Sequence, residues 1–148
     1  MGRDIRLQIG TLTQVSVLVD TSTWSLALRR DGQAANPQVA ALTQFLQSGE
    51  SILTTGIVLQ ELLQGFGGPE ARKEILERFS ALPLLVPDRQ DHVAAAALRN
   101  TCRRKGVQVG TIDALLAQLC LHHDLLLLTN DNDFQHVAKH CALRLWTR

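Results

Sequence analysis

Four acidic residues, Asp20, Glu61, Asp113 and Asp131, stand where carboxylates can do more than face solvent. Asp20 directly follows the run Val15 to Val19 and precedes Thr21 and Ser22. A short Val- and Leu-rich run that meets helix-starting residues reads as a buried parallel strand feeding a helix, and such sheets bind ligands beyond the carboxyl ends of their strands. Asp, Thr and Ser also open helices for purely structural reasons, so the other acids decide what Asp20 is for. Glu61 lies in a helical stretch, Gly56 to Gly65, where Val58, Leu59, Leu62, Leu63 and Phe66 share one face and Gln60 and Gln64 the opposite one. With Ile57 and Val58 a turn before it and Gly65 a turn after, Glu61 stands on the flank of the apolar face.

Asp113 falls in the first turn of a helix running from Thr111 to about His123, where the helix dipole favours a carboxylate by about 0.3–1 kcal/mol. That helix carries the chain roughly 18 Å away. The four-leucine strand Leu125 to Leu128 brings it back by roughly 13 Å. Thr129-Asn130-Asp131 therefore returns to the sheet edge that Asp113 left, and parallel strands deliver Asp20 to the same edge. Two carboxylates about 5 Å apart at an effective dielectric of about 20 repel by roughly 3 kcal/mol, so such a cluster either holds protons or binds a hard cation. Oxygen-only ligation suits Mg²⁺ or Mn²⁺, which can activate water and stabilise the charge that develops in phosphodiester hydrolysis.

The elements that must position these acids alternate between strand and helix, which predicts a single α/β domain: a three-layer α/β/α sandwich on a mainly parallel sheet. Thr21 or Ser22 caps a helix reaching about Arg30. Asp31-Gly32 through Asn36-Pro37 makes a turn, and a second helix carries Val39, Leu42, Phe45 and Leu46. Ser51 to Thr54 reads as a strand, Glu70 to Ser80 as a helix, Leu84 to Val86 as a short strand, and Arg89 to Lys105 as a long helix with a basic end. After the loop Gly106 to Gly110, Thr111 caps the helix of Asp113. Asp131 to Lys139 makes a short helix, and Ala142 to Trp146 closes the sheet. Met1 to Gln14 is polar and aperiodic and reads as a flexible extension ahead of a domain over 15–148.

A chain of 148 residues suffices for one domain with a real core, and a formal net charge of +1 excludes a globally basic binder of nucleic acid. Only Lys73, Lys105 and Lys139 are lysines; the remaining basic residues are arginines, whose planar fork suits phosphate and carboxylate partners. Cys102, Cys120 and Cys141 are odd in number and form no C-x-x-C, which points to a reducing cytoplasm instead of a disulfide framework. No apolar run approaches the roughly 18 residues of a membrane span, and no signal-peptide pattern opens the chain.

Taken in order, V-L-V-D-T-S, T-T-G-I-V-L-Q-E-L-L-Q-G, T-I-D-A-L-L-A and L-L-L-L-T-N-D-N-D-F resemble the PIN-domain nucleases, and in particular the VapC toxins of bacterial toxin–antitoxin pairs. The likeness runs from about Val15 to the C-terminus; the extension departs from the family's usual start at the first strand. It implies a five-stranded sheet in the order 3-2-1-4-5 and a Mg²⁺- or Mn²⁺-dependent endoribonuclease. Catalytic positions fall at Asp20, Glu61, Asp113 and Asp131, with Asp20, Asp113 and Asp131 as metal ligands and Asp133 as a less certain fifth acid. It further implies a cognate antitoxin whose C-terminal tail crosses and blocks the site, and a homodimer.

Ser22 and Thr129 read as supporting hydroxyls that orient an acid, although a helix cap and a strand-end turn are the plain alternatives. Arg29 and Arg30 end one helix and Arg99, Arg103, Arg104 and Lys105 another, which suits helix C-termini and also suits tracking of RNA phosphates. The same end effect explains His122, His123, His136 and His140 without a metal. A phosphotransferase with a D-x-D arrangement would need an acid where Ser22 stands, and a receiver domain would need a lysine after Leu128. The competing readings that remain are a PIN-fold RNA-processing nuclease without an antitoxin and a non-catalytic RNA-binding or scaffold domain.

Overall fold

The structure, a computed structural model, describes residues 16–29 and 35–148. The extension Met1 to Gln14, Val15, Arg30 and the Asp31-Gly32 turn lie outside the described residues. The central strand β1, Ser16–Val19, owes its place to composition: Val17, Leu18 and Val19 are each fully buried, as a strand covered on both faces requires. It is flanked by β2 (Ser51–Thr55) and β4 (Leu126–Leu128), with β3 (Leu84–Leu85) beyond β2 and β5 (Arg144–Leu145) beyond β4. The order is β3-β2-β1-β4-β5 and every pairing is parallel, with Leu18 opposite Leu53 on one side and Leu127 on the other.

Seven helices join these strands among the described residues: α1 (Thr21–Ala27), α2 (Pro37–Ser48), α3 (Gly56–Gly65), α4 (Pro69–Ser80), α5 (Arg89–Arg104), α6 (Thr111–His123) and α7 (Asp133–Val137). The chain steps outward from β1 to β2 and β3, then crosses back to β4 and β5. Because parallel crossovers are right-handed, this reversal places α1 to α4 on one face and α5 to α7 on the other. Packing follows that division, with α1 against α2 and α3, α3 against α4, and α5 against α6. The reversal opens a crevice between the carboxyl ends of β1 and β4, the position where open α/β sheets bind ligands.

Local chemistry sets the helix ends. Asn36 caps α2 by accepting from Val39 N at 3.0 Å, Pro37 occupies its first turn, and Gly49 closes it with φ 75°. Asp88 and Asp91 form a reciprocal capping box at the start of α5. Element ends shift from the sequence-based assignment: Thr111 is the first helical residue behind Gly110, with no side-chain cap bond, α7 starts at Asp133 instead of Asp131, and the edge strands β3 and β5 are shorter than Leu84 to Val86 and Ala142 to Trp146. Asp131 Oδ1 accepts from Asp133 N at 2.9 Å, which holds Asp131 in the preceding turn.

Trp24 of α1 is 2% exposed and packs on Phe79 of α4, ring centroids 4.9 Å apart at 52°. Its indole Nε1 is buried without a hydrogen-bond partner, a cost of about 1–3 kcal/mol that the packing outweighs. Trp24→Ala is therefore expected to lose about 3–5 kcal/mol of stability. Trp24→Phe should lose clearly less, because a phenyl ring keeps the Phe79 contact and removes the orphan donor. Chemical denaturation of both variants tests this ordering.

Candidate active site

At the end of β1 the backbone N–H of Asp20 donates to Leu128 O at 2.9 Å, which carries the β1–β4 pairing up to the crevice. Asp20 itself is the N-cap of α1, its Oδ1 accepting from Thr21 N at 2.8 Å, so the cap expected at Thr21 or Ser22 lies one residue earlier. Both hydroxyls then act elsewhere. Thr21 Oγ1 donates to Glu61 Oε1 at 2.7 Å, and Ser22 Oγ donates to Asp20 Oδ2 at 2.8 Å. Thr129 Oγ1, at the end of β4, donates to the same Oδ2 at 2.8 Å. A hydroxyl has one proton to give, so the 3.3 Å approach of Ser22 Oγ to Thr129 Oγ1 is two donors converging on one acceptor.

Each hydroxyl in turn accepts a backbone N–H from the following loop, Asn130 N to Ser22 Oγ and Asp131 N to Thr129 Oγ1, both at 2.9 Å. Ser22 and Thr129 thus join Asp20 to the turn that presents Asp131. Asn130 locks that turn. Its Oδ1 accepts from Thr23 Oγ1 at 2.7 Å while Nδ2 donates to Asn36 Oδ1 at 3.0 Å and Gln38 Oε1 at 3.3 Å. Thr21, Thr23 and Asn130 were not singled out as site residues by sequence reasoning; the T-S-T and T-N-D runs contain them, but their partners are far away in the chain.

The acids lie near enough to feel one another's charge, at Asp113 and at Asp20. Burial pushes the Asp113 carboxyl up to about 6, aided by the negative charges of Asp20, Asp131, Glu61 and Asp133, in that order. Asp20, 6% exposed, is also raised: burial outweighs the bonds from Ser22, Thr129 and Thr21, and Asp131 adds to the rise. Glu61 sits half-buried on the flank of α3, between buried Val58 and Leu62 and the exposed pair Gln60 and Gln64. Asp131 is half-buried and Asp133 exposed.

The basic residues divide. Arg99 and Arg103 line a cleft of about 540 Å³ together with Gly110 and Asp133, next to the acids. Arg99 is braced there, its Nε donating to Val109 O at 2.8 Å. Arg104 turns back to Thr101 Oγ1 at 3.3 Å, and neither it nor Lys105 lines the cleft. Arg29 is exposed beyond α1, and Arg30 lies outside the described residues. A second groove of about 540 Å³ is largely apolar, with Ile57, Ala95, Ala96, Ile112 and Leu115 along it and Arg99 shared with the first.

A family model described as "PIN domain" matches residues 17–140. No curated protein sequence gives a significant match. Among solved structures, VapBC2 from Rickettsia felis bound to a DNA fragment from its promoter is 20% identical, covering 90% of this chain and 100% of that one with a TM-score of 0.69. DNA-bound VapBC from Salmonella typhimurium is 23% identical over 90% and 98% of the two chains, TM-score 0.68. Mycobacterium tuberculosis VapC20, a sarcin-ricin loop cleaving toxin, is 17% identical over 81% and 93%, TM-score 0.61. At these identities the likeness is one of fold.

The raised Asp113 carboxyl gives a stability signature. Unfolded, this group loses its proton near pH 4; folded, it keeps it to about 6. Over that window the folded state holds the extra proton, so the cation-free protein loses stability as pH rises through it and carries the full penalty above. Asp113→Asn should melt above the parent at pH 7–8 in chelator, with the gap closing as pH falls from 6 to 4. Melting curves across that range are the check.

Proposed function

The chain belongs to the PIN-domain family, and on that premise we propose that it is a Mg²⁺- or Mn²⁺-dependent endoribonuclease, the toxin of a toxin–antitoxin pair. The observation that carries this reading is that Ser22 and Thr129 tie the buried Asp20 carboxylate to the turn of Asp131, beside an Asp113 carboxyl raised by burial and by the charges of Asp20, Asp131 and Glu61. All the site's candidate ligands are carboxylate oxygens, and their uncompensated charge is what a hard divalent cation relieves; Asp20, Asp113 and Asp131 are the residues that would hold it. When bound, such an ion supplies Lewis acidity and a water of lowered pKa for attack on a phosphodiester.

The chain's own groups do the rest. Ser22 and Thr129 fix the rotamer of Asp20, Thr21 fixes that of Glu61, and Asn130 sets the turn that carries Asp131. Glu61 is the acid we assign to orienting the attacking water, since it approaches from a separate helix. Arg99 and Arg103 beside the acids would hold flanking phosphates, giving salt-dependent affinity without base reading.

The partner reading is supported by the apolar groove at Ile57, Ala95, Ala96, Ile112 and Leu115, one wall of which is the first turn of α6, the turn that carries Asp113. An antitoxin tail with apolar side chains for the groove and a cationic one for the acids would block the site. VapBC complexes are the structural neighbours that favour it. Self-association is supported by exposed apolar side chains on and after the edge strand β3, Leu84 at 51% and Val86 at 77%. A cytoplasmic location accords with the three free thiols Cys102, Cys120 and Cys141. No helix among the described residues is long and apolar enough to cross a membrane.

Three experiments test the proposal. The purified protein should cleave RNA in Mg²⁺ or Mn²⁺ and fall silent in chelator. Asp20→Asn should abolish cleavage and diminish thermal stabilisation by Mn²⁺ while melting, cation-free, at or slightly above the parent. Unchanged cleavage by the folded variant would sink the metal assignment, and a parent with no cleavage at all would favour the scaffold reading. Expression without a partner should arrest growth; normal growth alongside folded, RNA-cleaving protein would favour a processing nuclease.

A further inference from the structure

At the far end of α6 from Asp113, roughly 14 Å along the helix axis, a second group of ligating side chains converges that the nuclease chemistry does not use. His122 and His123 end the helix with stacked rings, centroids 4.1 Å apart at 24°. Facing them is Asp91, from the first turn of α5, a carboxylate 2% exposed. Its Oδ2 accepts from Asp88 N at 3.0 Å and its Oδ1 lies 2.7 Å from His122 Nδ1. One nitrogen of each histidine and one oxygen of Asp91 lie within 4.8 Å of one another, and this is the group of three so placed among the described residues.

We propose that Asp91, His122 and His123 form a second metal site, selective for a zinc-class cation and distinct from the carboxylate cluster around Asp20. Two imidazoles and one carboxylate suit a borderline ion, whereas the oxygen-only acids suit a hard one, so the two sites sort ions by ligand type. The scaffold is half rigid and half adaptable. The capping box at Asp88 holds the Asp91 carboxylate in place, while both histidines are exposed and their rings turn at little cost. Tetrahedral bonds of about 2.0–2.1 Å put ligand atoms roughly 3.3 Å apart, so the Asp91–His122 pair opens by about 0.6 Å and the His123 nitrogen draws inward. Ligation through His122 Nδ1 uses the neutral tautomer that carries its proton on Nε2, which the exposed ring is free to adopt. Three protein ligands leave the fourth position to solvent water. The bound ion would clip the start of α5 to the end of α6.

The test is a Zn²⁺ titration of the full chain, followed by calorimetry and melting temperature, and repeated with Co²⁺ to read the visible absorption of nitrogen-ligated metal. We expect one Zn²⁺ bound at micromolar concentration with a raised melting temperature. His123→Ala should weaken it about tenfold or more. Asp20→Asn should leave it unchanged, and His123→Ala should leave Mn²⁺-supported RNA cleavage intact. His123→Ala is the primary variant because, unlike His122→Ala, it leaves the buried Asp91 its partner. Zinc binding lost in Asp20→Asn, equally tight in His123→Ala, or absent at micromolar concentration would each overturn the proposal, whether or not the protein cleaves RNA.

Discussion

Carboxylates do not gather willingly, and the site depends on the means by which this fold forces them together. The parallel pairing of β1 with β4 supplies the force: a largely buried apolar ladder whose last bond, Asp20 N to Leu128 O, delivers the carboxyl ends of both strands to one crevice. Burial of the strand side chains stabilises what the acids oppose. Hydrogen bonding then distributes the charge unequally. Asp20 receives three donors, Glu61 one from Thr21 and Asp131 one from Asp133 N. Among the described residues no donor reaches the Asp113 carboxylate, and it is the acid whose proton is held to about 6.

Much of this architecture was legible in the chain. A Val-Leu run ending at Asp20 and a four-leucine run ending at Thr129 marked the central strands, helical periodicity placed Glu61 at the edge of an apolar face, and the order implied by the family resemblance is the one observed. Ends were less legible for a local reason. Asp20, Thr21 and Ser22 are three consecutive residues that can each cap a helix, and propensity cannot rank them; the fold does, by drawing Thr21 to Glu61 and Ser22 back to Asp20. Asp131 similarly left its helix because its carboxylate found Asp133 N.

What the sequence could not display was the long-range hydrogen bonding. Thr129 and Asp20 lie 109 positions apart, and Asn130 reaches Thr23 over 107 and Asn36 over 94. No periodicity encodes such partners. The arginines show the converse: one basic run at the end of α5 looked uniform, yet helical rotation sends Arg99 and Arg103 to the cleft and Arg104 back along its own helix. His122 read as a helix-end cation until the fold set a buried carboxylate against it.

The position of β4 in the sheet also has a consequence in time. During synthesis the chain emerges from its N-terminus, so β1, β2 and the helices between them are complete long before Leu126–Leu128 arrives to occupy the other side of β1. Until then Asp20 lacks the Thr129 hydroxyl, Asp131 and its turn do not exist, and one edge of the central strand is unpaired. Contacts of such high sequence separation form late and slowly. The acids of this protein therefore become a site only once β4 and the turn behind it have left the ribosome, and a nascent fragment ending before Asp131 carries Asp20, Glu61 and Asp113 with nothing to complete them.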